Sequence, residues 1–292
     1  MTAPASTPTT PASPAPLDRG TQVAYGASAF AENLAINSIN QLANAVFNLT
    51  LGVPLLLVGL ALALPRLIDV VLDPLIGNWS DRLRSRWGRR RPFILIGALA
   101  CAAVAAAIWF FPSGQSSTFY FWWLLGGCAA MSVAYSVLIV PYGALGLELA
   151  EDYHERTRLM GTKSILHKSS GVVNQWLLKW VRDAGAGNLV VGGRLCAPIL
   201  GTAIAGLGLL TFWRVRERPI PVTAPPPPRL TLRESWAITM RQPDFRRLIL
   251  AQILIYMSFL VIDTTGFYLN VFYVHAGDMR SEEHTSELQS RL

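Results

Sequence analysis

Asp69 and Asp73 stand four residues apart near the end of an apolar run that begins near Leu51. At that spacing a helix stacks both carboxylates on one face, and Arg66 falls on nearly the same face three residues earlier. An ionisable group inside a membrane-length segment is costly and by default marks a functional position. Two acids there have the chemistry to hold a cation; the competing reading is an internal ion pair with Arg66. The two readings overlap, because an arriving cation can displace the guanidinium. Pro74 follows directly and is expected to weaken the helix, since it lacks an N–H and its ring clashes one turn back. Six arginines then fall within residues 82–91. Acids in an apolar helix followed by a dense basic loop point to an ion-coupled membrane transporter.

Other polar side chains recur at helical spacing. Asn33, Asn37, Asn40, Asn44 and Asn48 step by four, three, four and four, with Glu32 and Gln41 at the flanks. Such a stripe must avoid lipid. It either bonds neighbouring helices or lines a water-filled cavity, and its length favours the cavity. Lys163, His167, Ser170 and Asn174 form a similar row, with Lys168, Gly171, Gln175 and Lys179 as a second. A cationic lining suits an anionic solute; alternatively Lys163 and Lys168 snorkel to the interface. Ser132 and Ser136 lie one turn apart, and Pro141 frees a carbonyl near Val137 that either binds a cation or bonds a neighbouring helix. The stretch 148–158 mixes acids and bases. Glu148, Asp152 and Glu155 there are placed to pair with Arg86 to Arg91, including Arg89 and Arg90, while Asp81 and Arg82 end the second helix. As a solvated loop such pairs contribute only about 0–1 kcal/mol, yet pairs formed in one conformation alone act as an inner gate.

These residues need apolar helices to hold them. Of 292 residues, 52% are hydrophobic and 15% charged, against roughly 25% charged in soluble domains. Seven windows reach the ~20 apolar residues a span requires: 24–48, 51–77, 93–111, 119–147, 161–181, 190–212 and 248–275. The last places Gln252, Tyr256, Asp263 and Asn270 on one face. Cys101, Cys128 and Cys196 fall inside spans and give neither a disulfide framework nor a metal site. The net charge of +7 sits beside the spans, as expected of cytoplasmic loops, so nucleic acid is not an expected partner; the lipid bilayer and a small solute are. The loops around 48–51 and 112–118 carry no Lys or Arg, which puts the arginine loop and the N-terminus in the cytoplasm.

Residues 1–22 read as a disordered cytoplasmic tail, too poor in apolar residues to fold and without the charged and apolar regions of a signal peptide. Residues 23–213 read as a six-helix transmembrane bundle. The stretch 214–247, with Pro225 to Pro228 and eight arginines, reads as a cytoplasmic central loop, and 248–278 as a seventh span. The run RSEEHTSELQS from Arg280 to Ser290 resembles the translation of a sequencing-library adapter, so 280–292 is set aside.

The motif Gly77-x3-Asp81-Arg82, then Arg86-Trp87-Gly88-Arg89-Arg90-Arg91-Pro92-Phe93, resembles the loop signature of the major facilitator superfamily. With Asp69-x3-Asp73-Pro74-x2-Gly77 ahead of it, it resembles the glycoside–pentoside–hexuronide:cation symporters, the melibiose-permease-like branch. Tyr25-Gly26 through Ala35-Ile36, Pro141-Tyr142, Glu148-Leu149, Glu155-Arg156, Thr265-Gly266-Phe267 and Gly277-Asp278 extend the likeness over most of residues 25–278. The resemblance implies an all-α polytopic fold of two six-helix halves, of which this chain holds the first and one further helix. It implies a monomer in the plasma (inner) membrane and no cofactor beyond coupling H+ or Na+. It also implies that Asp69, Asp73 and Ser136 bind the cation. Asn33, Asn37, Asn40, Tyr142, Lys163, His167 and Asp263 then line the substrate cavity. The family's sugar contacts fall at Asn33, Ile139, Gly143 and Ser164, so the cation acids are kept while most sugar contacts are not. An amide near the cation falls at Leu72, which tilts the coupling ion from Na+ toward H+.

Transport of a sugar or related solute is the leading expectation, with a carboxylate or lipid-like solute as the alternative. A receptor or scaffold is a different class. No P-loop, HExxH or CxxC motif points to an enzyme.

Overall fold

The computed structural model describes residues 17–83, 85–150, 152–217 and 232–269. Residues 1–219 and 220–292 form two units. The first unit holds α1 (Arg19–Ala43), a π-helical segment (Asn44–Thr50), α2 (Leu55–Ala63), α3 (Arg66–Arg82), α4 (Arg91–Ala107), α5 (Ser117–Leu149), α6 (Tyr153–Ala184) and α7 (Leu189–Arg214). Together α2 and α3 make one crossing, giving six in this unit. No strand occurs among the described residues.

The helix starts are written locally. Asp18, Ser116, Asp152 and Asn188 each accept a hydrogen bond from a backbone N–H in the first turn that follows, a cap contribution of about 1 kcal/mol each. The N–H groups of His154 and Glu155 hold the Asp152 carboxyl below its ordinary range. α4 starts without such a side chain; Pro92 sits in its first turn, where the missing N–H costs nothing.

α1 packs on α6 and α7, α4 on α5 and α7, and both α2 and α3 on α5. The helices approach closely where residues are small. A Cβ at Gly97 of α4 would meet the Leu138 backbone of α5 at 2.5 Å. Close van der Waals contact of this kind holds helices together in lipid, where burial of apolar surface between them gains little. The outer surface is apolar instead: Leu56 is 74% exposed, Val70 72% and Ile199 69%. The helices Leu55–Arg82, Ser117–Leu149 and Leu189–Arg214 are long and apolar enough to cross a bilayer; α4 is apolar but shorter. α1 and α6 carry the polar rows and do not reach that apolarity along their length.

The second crossing breaks before the acids, and not at Pro74. Leu64 and Pro65 interrupt it, with tight bonds from Leu67 N to Leu64 O and Ile68 N to Pro65 O. Pro65 has no N–H to bond back to Ala61 and its ring displaces that carbonyl. Pro74 lies inside α3. The asparagine stripe also bends. The π-helical segment begins at Asn44, which is exposed, and Asn48 donates to Val53 O at 2.7 Å.

In the second unit α8 (Leu232–Arg241) and α9 (Pro243–Leu269) follow one another across Gln242. α8 is helical within the stretch expected as a loop. The tail 1–16, Asn270 and the run 280–292 lie outside the described residues, as does the side chain of Asp263.

Candidate functional site

The break at Pro65 brings three oxygen donors together. α3 restarts at Arg66 and lays Asp69 against α5. Asp69 Oδ1 accepts from Ser132 Oγ and lies 3.5 Å from Ser136 Oγ. Ser132 Oγ also lies 3.1 Å from Pro65 O. Arg66 NH1 stands 3.9 Å from Asp69 Oδ2 with its side chain 57% exposed, a loose contact for an ion pair. Asp73 lies one turn further on. Its Oδ1 is buried and has no hydrogen-bond partner, a costly state for a carboxylate. Carboxylate, hydroxyl and carbonyl oxygens are hard donors that suit a small cation.

A small open cleft of ≈ 40 Å³ adjoins this cluster, lined by Asn40, Pro65, Arg66, Ser132 and Tyr135 among others. A second of ≈ 230 Å³ is lined by Glu32, Lys163, Ser164, His167 and Lys168. The expected cavity residues divide between them: Asn40 in the first, Lys163 and His167 in the second. Asn33 is drawn into a knot instead. Its Nδ2 lies 3.1 Å from His167 Nε2, and its Oδ1 accepts from Ser170 Oγ at 2.6 Å and Asn174 Nδ2 at 3.4 Å. The amide therefore bonds α1 to α6. Asn37 is half-buried on the same face of α1.

Tyr142 is not a cavity residue. It is fully buried and stacks on Tyr25 with ring centroids 4.4 Å apart. Each hydroxyl donates to the other's carbonyl, Tyr142 to Tyr25 O at 2.8 Å and Tyr25 to Tyr142 O at 3.2 Å. The pair clasps α1 to α5, and Lys163 Nζ sits 5.0 Å above the Tyr142 ring.

The charged loop makes some of the ion pairs expected of it. Arg90 NH2 reaches Asp81 at 2.8 Å and Glu148 at 3.0 Å, and Arg89 NH2 reaches Glu148 at 2.5 Å. These contacts tie the ends of α3 and α5 to the start of α4. Arg82, Arg86 and Glu155 do not join them. Arg82 is exposed at the end of α3 with no ion pair among the described residues, and Arg86 lies over the Trp87 ring at 4.8 Å. Glu155 accepts from Leu17 N at 3.0 Å, because α6 starts beside the beginning of α1.

Glu217, which sequence reasoning missed, completes this end. Its carboxylate accepts from the N–H groups of Arg89, Arg90 and Arg91 at 2.7, 2.6 and 2.8 Å. The N–H groups of Arg90, the N-cap, and Arg91 are orphan donors of α4, and a carboxylate suits a helix N-terminus. Gly88 is required beside it: its φ is +106° and a Cβ would stand 2.8 Å from the Glu217 carboxyl carbon. More than 120 residues separate Glu217 from the loop, so no local pattern signalled the contact. Glu32 and Tyr135 were also missed. Glu32 did carry a signal, as the lone acid of the first span.

A bundle of apolar helices with acids inside and a charged clasp at one end has the make-up of a membrane transport protein. The family model for MFS/sugar transport proteins matches residues 24–281, and the chain belongs to this family, within the glycoside–pentoside–hexuronide:cation symporters. Its relatives include the inner membrane symporter YicJ of Escherichia coli, 26% identical over 223 residues, covering 74% of this chain and 47% of that protein. The glucuronide carrier protein homolog of Escherichia coli is 22% identical over 219 residues, 75% of this chain and 47% of that protein. The lactose permease of Lactobacillus helveticus is 33% identical over 121 residues, 40% of this chain and 18% of that protein. The chain thus spans less than half the length of each of these relatives.

Proposed function

We propose that this bundle carries the cation site of a secondary transporter that couples H+ or Na+ to the movement of a sugar or related small solute. The carrying observation is the Asp69 cluster: one carboxylate shared by Ser132 and Ser136, with Asp73 beside it holding an unpartnered buried oxygen. A cation entering there satisfies Asp73 and competes with Arg66, whose contact to Asp69 is long enough to break. The Pro65 carbonyl and Ser132 hydroxyl supply the neutral oxygens that Leu72 does not, so Na+ regains standing beside H+.

Solute would bind where the bundle faces its counterpart, and the Arg89–Arg90–Glu148–Asp81 clasp would close the cytoplasmic side in one state of an alternating-access cycle. The relatives' names support sugar and glucuronide transport as the class to test first. The lysines and histidine of the larger cleft favour a carboxylate-bearing solute as the second reading.

The test is uptake in proteoliposomes by the gene product that contains this chain, with imposed Na+ or H+ gradients and a panel of sugars and sugar acids. Asp69→Asn and Asp73→Asn should each abolish uphill accumulation while insertion is retained. Undiminished accumulation in both variants removes the coupling role.

A further inference from the structure

Arg82 and Arg86 stay outside the charged clasp. Both are exposed, and neither meets a carboxylate within 4 Å among the described residues. Their neighbours are aromatic and also turned outward: Trp79 is 63% exposed and Trp87 47%. The Arg86 guanidinium lies 4.8 Å over the Trp87 ring. Trp87 is itself fixed edge-on against Phe212 of α7, with ring centroids 5.9 Å apart. Stacking occupies the flat face of the guanidinium and leaves the N–H groups on its edge free, the geometry that grips a phosphate through two parallel bonds.

The outer face of α3 shows what else the ligand must carry. Leu67 and Val71 are 67% and 62% exposed. At helical spacing they share a face with Trp79 and Arg82, while Asp69 and Asp73 take the opposite one. Arg82 stands about 16 Å along the helix from Val71, close to the ~15 Å apolar depth of half a bilayer. The stripe thus runs from aliphatic through indole to guanidinium, the order of acyl chain, interface and headgroup. A free phosphate would use only the arginines, whereas a lipid uses the whole stripe. We infer that this rim binds an anionic phospholipid from the leaflet at the arginine-loop end, with its phosphate on Arg82 and Arg86, its glycerol against Trp79 and Trp87, and its chains along Leu67 and Val71. A zwitterionic headgroup brings its own ammonium, which competes with the guanidiniums for the phosphate; a glycerol headgroup does not. None of these residues belongs to the Asp69 cluster, to the 2.8 Å bond from Tyr135 to Glu32 or to either cleft. The lipid site therefore stands or falls apart from the symport reading.

The test is native mass spectrometry of the 292-residue chain released from detergent and titrated with phosphatidylglycerol or phosphatidylcholine of identical acyl chains. Phosphatidylglycerol should bind about ten-fold more tightly, within what two arginines close to an anionic headgroup supply. Arg82→Gln combined with Arg86→Gln should remove most of that preference. Trp87→Ala should weaken phosphatidylglycerol several-fold by releasing the Arg86 side chain. Arg158→Gln, at an exposed arginine near the start of α6, should leave both affinities unchanged. A thermal melt of each variant separates loss of binding from loss of fold, and the comparison of the two lipids on the unaltered chain needs no variant. Equal binding of the two lipids, an undiminished preference in the double variant, or an equal loss in Arg158→Gln overturns the inference. Displacement of the lipid by inorganic phosphate, but not by chloride at equal ionic strength, also overturns it, because the site would then be one for the free anion. So does loss of the preference in the longer gene product that contains this chain, which would mean that its other segments cover the face.

Discussion

Asp69 and Asp73 belong to one helix face but meet different surroundings. Asp69 is engaged by hydroxyls from α5; Asp73 keeps an orphan oxygen. Removing Ser132 therefore takes a donor from Asp69 without adding a charge. Ser132→Ala should weaken cation binding several-fold, measured as the Na+ or H+ concentration for half-maximal stimulation of uptake, with the maximum rate little changed. Ser136→Ala should do less, because its contact is the longer one. Wild-type cation dependence in Ser132→Ala would mean that the hydroxyl only fastens α5 to Pro65. Tyr142 makes a structural claim at the same scale. Tyr142→Phe deletes the donor to Tyr25 O inside the bundle and should cost about 1–3 kcal/mol, the range for leaving a buried acceptor unmade. A melt in detergent checks it; an unshifted midpoint would show that Tyr25 O finds another donor.

At the scale of elements, α4 depends on its N-terminal partners. Glu217 fills three N–H groups there, and Arg90, with a side chain only 8% exposed, bridges Asp81 and Glu148. Breaking a buried pair costs about 3–5 kcal/mol and an exposed one about 0–1. Asp81 and Glu148 remain nearly half exposed, which places Arg90→Ala between those limits, at about 1–2 kcal/mol. Glu217→Gln keeps the acceptor oxygen but removes the charge at the helix end, and should cost less than Glu217→Ala. Hydrogen exchange at residues 89–91 reads both: faster exchange in Glu217→Ala is expected, and equal rates in all three proteins would deny the cap.

For the whole molecule, orientation follows from the loops. The arginine loop and the start of α1 lie at the same end as Glu148, Glu155 and Glu217, since each is bonded there. We expect that end to be cytoplasmic, because it carries the positive charge. Ser85→Cys in intact cells should resist a membrane-impermeant maleimide and react after permeabilisation. Labelling from outside would invert the topology.

The class, the membrane-length helices and the spacing of the two intramembrane acids, Asp69 and Asp73, were legible in the residues alone. Lipid leaves only helices and closed barrels as crossing structures, so apolar length and four-residue spacing are read directly from the residues. The sequence also placed Arg89, Arg90, Asp81 and Glu148 in one clasp, since charges clustered at span ends have few other partners. Tertiary structure decided what those rules do not reach. It moved the break from Pro74 to Pro65, where the chain tightens through Leu67 N to Leu64 O and Ile68 N to Pro65 O while Pro74 stays inside α3, because which proline breaks a helix depends on the packing around it. It turned Asn33 and Tyr142 from cavity wall to helix fastening, because periodicity gives a face but not what lies opposite. It paired Glu32 with Tyr135 and Glu217 with α4 across more than 100 residues. Such contacts are set by how six helices cross, and no local spacing encodes them.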